Sequence, residues 1–272
     1  MKNILITGSG GKIGKALCNH FKSHVNDYNI KEFDIQDNPE NNLKNKKSLN
    51  AATKGMDIVI HLAGKIDGSK EDLYDTNAGG MENLIKACKK NKVKNILFFS
   101  TIDVLFDNNY GNSKRLAEKL LQESGISYII LRPSIVYGPG FNKYIRTLVK
   151  MIDSGLVFIP GNGKNLYQPL FIDDLVKLID HILDKNLFDN STYFISGRDA
   201  ISMNEMVDLT CKALNKNAIK IHVPIKIPSL IFPKLKRYSL DKTASNFLAE
   251  ENLGFDPIGF EDGIKGVNEW ID

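Results

Sequence analysis

Over the first 135 positions, short apolar runs of β type alternate with longer stretches whose apolar residues recur at helical spacing. Ile4-Leu5-Ile6, the run from Tyr28 to Phe33, Ile58 to Leu62, Ile96 to Phe99 and Tyr128 to Leu131 predict strands. Their near-continuous hydrophobicity predicts burial on both faces, as in parallel sheets. Between them, Lys12 to His24, Leu73 to Lys90 and Tyr110 to Glu123 predict crossover helices, with Leu84, Ile85 and Cys88, or Leu116, Leu120 and Leu121, on one face. This rhythm predicts an α/β fold built on a doubly wound parallel sheet. The stretch from Gln36 to Lys54 is rich in Asn and Lys and reads as a solvated loop followed by a short helix near Ser48 to Thr53. A further strand barely fits there.

Beyond Gly138-Pro139-Gly140 the pattern loosens. It predicts helices from Tyr144 to Asp153, from Asp173-Asp174 onward and after Ser202, a small strand at Tyr193-Phe194-Ile195, a Pro-rich turn region holding Pro224, Pro228 and Pro233, and a terminal helix ending at Trp270. The expected organisation is a sheet domain over residues 1–140, completed by a strand and a helix returning from the later half, and a smaller lobe over residues 141–272. That lobe reads as a lid.

Composition narrows the classes without naming one. The 272 residues are 42% apolar and 25% charged, which is globular and neither disordered nor collagenous. The formal charge is +4, and the lysines are spread over several segments, so the sequence gives little reason to invoke nucleic acid. Cys18, Cys88 and Cys211 are odd in number, far apart and without metal-ligand spacing, which fits a reducing compartment and no disulfide framework or metal site. The N-terminus runs directly into a strand, and no stretch approaches the ~18–20 apolar residues of a membrane span. A cytoplasmic protein without membrane insertion is expected.

Chemistry enters after the first strand. Thr7-Gly8-Ser9-Gly10-Gly11-Lys12-Ile13-Gly14 leads straight into the first helix. Glycines 8, 11 and 14 between strand and helix allow a tight turn, close backbone approach and a helix N-terminus open to a pyrophosphate. Asp34, at the end of the second strand and 34 − 14 = 20 residues beyond the last glycine, can accept hydrogen bonds from ribose hydroxyls. No arginine follows it, which favours NAD over NADP. Lys12 beside the loop leaves NADP open, and a solvated loop acid is the alternative for Asp34.

The fourth strand ends in Ser100-Thr101, and the next helix opens with Tyr110-Gly111-Asn112-Ser113-Lys114. Positions 110 and 114 share a helical face, where an ammonium stabilises a phenolate and lets a tyrosine exchange a proton with an alcohol near neutral pH. Tyr-x-x-x-Lys recurs at Tyr238 and Lys242, and nine tyrosines with 31 lysines produce about one such pair by chance. Context selects Tyr110 and Lys114, because a strand ending in hydroxyl residues precedes them. The other pair reads as solvated helix surface.

With these residues in view, the chain resembles the extended short-chain dehydrogenase/reductase family, of the NAD-dependent epimerase/dehydratase type acting on nucleotide sugars. Thr7 to Gly14 is similar to that family's TGxxGxxG, Asp57 to Gly64 to its D-x-V-I-H-L-A-A strand, and Asn77, Gly80, Asn83-Leu84 and Ala87 to its N-x-x-G-x-x-N-L-x-x-A helix. Leu131 to Gly140, Gly161-Asn162-Gly163, Phe171 to Leu175 and Leu253 to Pro257 match later segments. The resemblance implies a Rossmann-like sheet with a small C-terminal substrate-binding lobe. It implies Thr101 beside the substrate oxygen, Tyr110 as acid and base, and Lys114 on the ribose and phenolate. For the cofactor it implies Gly8, Ser9, Gly11, Lys12, Ile13, Gly14, Asp34, Ile35, Leu43, Leu62, Ala63, Gly64, Ser100, Tyr110, Lys114, Pro133 and Ile135. For a nucleotide-sugar substrate it implies Thr101, Asp103, Arg146 and Gln168. A homodimer through the helices at 73–90 and 110–123 follows from the resemblance alone. As alternatives, Thr101 could cap the strand end, His61 reads as a buried strand histidine, and Asp173-Asp174 as a helix cap.

Three departures shape the expected chemistry. Only nine positions separate Thr101 from Tyr110, a shortened loop; Asn42-Leu43-Lys44-Asn45 stands where the family has D-L-x-D; and Ile102-Asp103 replaces the Asp-Glu of dehydratases. Isoleucine cannot donate a proton, which disfavours 4,6-dehydration. Hydride transfer at a sugar carbon then leaves C4 epimerisation, or the single half-reaction of a 4-keto-sugar reductase or dehydrogenase. A non-catalytic cofactor-binding protein of the same fold is the alternative from another class.

Overall fold

The structure, a computed structural model, describes residues 1–23, 27–140, 142–224 and 240–271. Six strands form the main sheet: β1 (Lys2–Thr7), β2 (Tyr28–Phe33), β3 (Ile58–His61), β4 (Asn95–Phe99), β5 (Ser127–Pro133) and the strand Ser191–Ile195. Their spatial order is Ser191–Ile195, β5, β4, β3, β1, β2, and β1 through β5 are mutually parallel. The crossovers are α1 (Lys12–Lys22), α2 (Lys46–Ala52), α3 (Lys70–Tyr74), α4 (Gly80–Asn91) and α5 (Asn109–Gln122). This is the doubly wound Rossmann-like fold, with its topological switch between β1 and β3, where open α/β sheets bind ligands at the strands' carboxyl ends.

Alternation along each strand assigns its side chains to two layers. Leu5, Val59, Ile96, Phe98 and Ile130 share one core cluster with Leu49 of α2, Met81 and Leu84 of α4 and Leu121 of α5. The intervening Ile4, Ile6, Ile58, Ile60, Leu97 and Ile129 are also buried, as are Leu17 and Phe21 of α1 and Ile182 and Leu183 ahead of the sixth strand. Tyr28 and His20 both hydrogen-bond Asp180 there, at 3.0 and 3.1 Å.

Burial on both faces fails for β2. Asn29, Lys31 and Glu32 are exposed, because residues 36–45 form turns and no strand, leaving β2 at the sheet edge. Charged edge positions discourage pairing with another chain. The predicted helix at 73–90 is interrupted by a π turn, Asp75–Gly79, between α3 and α4. The short helix near 48–53 is α2.

Contact density divides the chain into two compact units, Met1–Pro133 with Ile179–Phe194, and Ser134–Leu178 with Ile195–Asp272. The second has its own core of Tyr137, Ile145, Ile152, Val157, Ile159, Val207, Phe260 and Ile264. Within it, Leu156–Pro160 pairs in parallel with Ile219–Val223, strands not expected from the sequence. Asp173 and Asp174 fall in the first turn of a helix beginning at Ile172, where acids suit the helix dipole. Asp174 accepts the Ile258 N–H at 2.9 Å, so its carboxylate does not cap that helix. Tyr238 and His24 lie outside the described residues. Lys242 sits in extended backbone bridged to Tyr167, which corrects the expectation of a helix surface there.

Candidate active site

The loop after β1 is shaped by backbone proximity. Gly8 has φ +77°, and a Cβ there would lie 2.5 Å from the Ala63 N; at Gly14 it would lie 2.3 Å from the Gly8 O. Neither position admits a side chain, and both bring backbone against backbone. Gly11, the N-cap of α1, supplies no side-chain cap, and the first turn holds no acid, so the helix N-terminus stays open to an anion. Ser9 is buried, with its Oγ unpartnered among the described residues. Lys12 is exposed and Ile13 half-buried beside it.

Asp34 ends β2 next to this loop. Its carboxylate accepts the Gly10 N–H at 3.1 Å and the Gln36 N–H at 2.8 Å. Two backbone donors fix the side chain and leave lone pairs for further donors. Ile35 is 56% exposed. Leu43 instead joins the hydrophobic core against α4, its carbonyl accepting Asn83 Nδ2 at 3.1 Å.

At the end of β3, Leu62 and Ala63 both donate their N–H to the Thr7 carbonyl at 3.0 Å. Gly64 faces two polar groups: a Cβ there would stand 3.0 Å from Asn77 Oδ1 and 3.7 Å from Lys114 Nζ. Asn77 lies on the π turn, a distortion frequent at functional sites. It is buried, donates to Ser113 Oγ and to the Lys65 carbonyl, both at 2.9 Å, and accepts the Lys65 N–H at 2.8 Å. Ser113 in turn donates to the Tyr110 carbonyl at 2.8 Å. The β3 loop is thereby tied to the first turn of α5.

That turn is positioned from three sides. Asn108 caps it by accepting the Gly111 N–H at 2.8 Å, and Arg115 donates to the Val104 carbonyl. Gly111 has no room for a Cβ, which would lie 2.1 Å from the Asp103 carbonyl oxygen. Thr101 ends the β4 connection and accepts the Asp103 N–H at 3.1 Å, capping a 3-10 turn. Thr101 thus caps the turn that follows the strand, and its side chain opposes the rise that burial gives the Tyr110 phenol. Ser100 is buried, its Oγ unpartnered among the described residues.

Lys114 is buried over the Phe98 ring, its Nζ 4.2 Å from the ring centroid. Burial lowers it to about 7, opposed by the Glu118 carboxylate one turn on. Glu118 is itself clamped by Arg132 through two hydrogen bonds of 2.9 and 2.6 Å. His61, in contact with Thr7 Oγ1 at 2.7 Å, is a buried strand histidine, as its position suggested; burial and then the Lys114 charge depress it to about 3. Burial pushes Tyr110 up to about 12, Asp103 adds to the rise, and the Thr101 hydrogen bond opposes it.

The first unit thus gathers Gly8 to Gly14, Asp34, Leu62 to Gly64, Ser100, Thr101, Tyr110 and Lys114 along the carboxyl ends of β1 to β4, with Pro133 ending β5. Ile135, Arg146 and Gln168 belong to the second unit. Arg146 Nε donates to the Ile271 carbonyl at 3.2 Å, while the Gln168 amide donates to Gly197 O and accepts the Ala244 N–H. Asn77 entered the sequence reading only as part of a helix motif, Gly111 and Phe98 only as members of a helix and a strand, and none of the three was given a role at the site. A glycine directly after Tyr110, inside a helical pattern, is a signal of close approach that could have found Gly111.

The family model described as "NAD dependent epimerase/dehydratase family" matches residues 4–195. The chain belongs to that family. It is 29% identical over 258 residues to N-acetyl-alpha-D-glucosaminyl-diphospho-ditrans,octacis-undecaprenol 4-epimerase of Escherichia coli O157:H7, covering 84% of this chain and 77% of that one. It is 28% identical to UDP-glucose 4-epimerase of Vibrio cholerae, covering 82% and 79%. Its fold matches the structure of UDP-glucose 4-epimerase from Thermotoga maritima with UDP-glucose, with a TM-score of 0.82, 21% identity and 98% of each chain covered. Among the described residues no helix is long and apolar enough to cross a membrane, and no group of His, Cys, Asp or Glu could hold a metal.

Proposed function

We propose that this family member is an NAD-dependent enzyme that inverts C4 of a hexose carried on a diphosphate. The observation that carries the reading is the convergence of Thr101, Tyr110 and a buried Lys114 beside Gly64, at the mouth of a loop that excludes side chains at Gly8 and Gly14. The loop's open helix N-terminus and the orphaned Ser9 hydroxyl fit a pyrophosphate, and Asp34 fits the adenosine ribose hydroxyls. The orphaned Ser100 hydroxyl fits the polar edge of a nicotinamide.

NAD held by the Gly8 to Gly14 loop and Asp34 would supply the hydride acceptor, and then the donor, for C4. Tyr110 would take up the proton of the C4 hydroxyl as the hydride leaves, and return it when the carbonyl is reduced from the other face, against the burial that opposes its ionisation. Thr101 holds the same oxygen. Lys114, when charged, would favour the phenolate, and Asn77 with Ser113 holds the α5 turn that carries Tyr110. No net reductant is consumed.

Ile102 follows Thr101, is buried and carries no proton, which argues against elimination of water. The short β4–α5 connection supports a second reading, reduction of a 4-keto sugar. Purified protein is incubated with UDP-hexoses, UDP-N-acetylhexosamines and undecaprenyl-diphosphate N-acetylglucosamine, and the anomeric signals are followed by NMR. Interconversion of C4 isomers without added NADH is the expected result. Consumption of a 4-keto sugar only with added NADH would establish the reductase, and no turnover on either panel would sink both.

A further inference from the structure

The lysines that the sequence scatters are gathered by the fold on one face of the first unit. A groove of about 270 Å³ runs between α2 and α4, lined by Lys46, Lys47, Asn50, Asn83, Lys86, Ala87 and Lys90. Lys46 and Lys47 form one wall, and Lys86 with Lys90, one helical turn apart, forms the other. Among the described residues one acid answers them: Glu82 pairs with Lys86 at 2.5 Å, and its carboxyl is held below its usual range by Lys86 first and Lys46 last. Lys46, Lys47 and Lys90 have no ion-pair partner within 4 Å among the described residues. Four ammonium groups against one carboxylate repel one another across a recess, a cost that a polyanion offsets.

The lining also selects the anion. Asn50 and Asn83 bring amide N–H donors to the groove, which suit phosphoryl oxygens; one Asn83 N–H is held by the Leu43 carbonyl. No aromatic side chain lines it, so the stacking platforms used for single-stranded nucleic acid are absent from the lining. The recess is broadly open to solvent. We propose that this groove is an anion site for a compact di- or triphosphate group, separate from the loop at Gly8 to Gly14. Its position carries a consequence. Asn83, in the wall, holds the Leu43 carbonyl, so a bound anion steadies the 41–47 segment that follows Asp34.

The test uses the full chain titrated with inorganic tripolyphosphate by calorimetry, with and without saturating NAD, so that occupancy of the glycine loop is separated from the groove. With NAD saturating the glycine loop, one bound tripolyphosphate is expected, its affinity falling at least tenfold in Lys46→Gln/Lys90→Gln. The exposed control Lys150→Gln/Lys185→Gln removes the same charge elsewhere and should leave affinity within twofold. Equal affinity in wild type and Lys46→Gln/Lys90→Gln, or abolition of binding by NAD, overturns the proposal. Sedimentation with vesicles containing phosphatidylglycerol distinguishes the lipid source, and binding to those vesicles without tripolyphosphate binding also overturns it. The groove reading stands or falls without any assay of sugar turnover.

Discussion

Lys114 Nζ lies 4.2 Å from the centroid of the Phe98 ring, and the same ring stacks on the His61 imidazole with centroids 5.4 Å apart. The ammonium is therefore held on a π face beneath the site, with water excluded. A cation on an aromatic face at a desolvated position gains about 0.5–2 kcal/mol. Phe98→Leu removes that gain, and Lys114, already lowered to about 7, drops further. In the pH profile of kcat/KM, the limb that reports charged Lys114 should move to lower pH by up to about 1. An unmoved limb would take Phe98 out of the mechanism.

Burial of Lys114 has a stability cost with a definite pH signature. Its ordinary value is 10.5 and its folded value about 7, so between them the unfolded chain binds a proton the folded chain lacks. Stability from this group therefore rises with pH from about 7 to about 10.5. Lys114→Met should raise Tm at pH 7 by a few degrees while abolishing turnover, read by calorimetry beside the NMR assay.

His61 acts with the same sign at lower pH. Folded at about 3 against 6.5 when free, it makes the protein lose stability as pH falls from about 6.5 toward 3, since only the unfolded chain can take up the proton. His61→Leu should flatten urea-denaturation stability over that window. A slope equal to wild type would place the acid sensitivity elsewhere.

Tyr110→Phe keeps the ring and removes the proton carrier. Turnover should fall by about 10²–10⁴-fold or more, with NAD affinity, measured by fluorescence titration, within a few-fold of wild type. A wild-type rate would remove Tyr110 from the reaction.

Asp34→Ala strips the two-point anchor at Gly10 and Gln36 along with the acceptor for ribose hydroxyls. NAD affinity should drop more than NADP affinity, because the lost carboxylate favours only the first. Parallel losses would contradict the preference for NAD.

Gly111→Ala forces a Cβ to within 2.1 Å of the Asp103 carbonyl unless α5 moves. The expected outcome is a lower kcat with a Tm decrease of several degrees, rescued by no other small side chain. Unchanged kcat and Tm would show that the α5 turn adapts freely.

What the sequence by itself determined about this chain is local. A period of two or of 3.6 is visible in a short window, so β1, β3, β4, β5 and the helices after them were legible, and so were the glycine loop, Asp34 and Tyr110 with Lys114. Each of those signals depends on neighbours within about one turn or one strand. The loop over residues 36–45 was legible too, but that its lack of a strand leaves β2 at the edge with Asn29, Lys31 and Glu32 exposed was settled by pairing across the sheet. Phe98 and His61 under Lys114, Asn77 reaching Ser113 from 36 residues away, and Lys46 and Lys47 facing Lys86 and Lys90 are contacts between segments remote in sequence. Their spacing leaves no periodic trace along the chain, because packing, and not local conformational preference, brings them together.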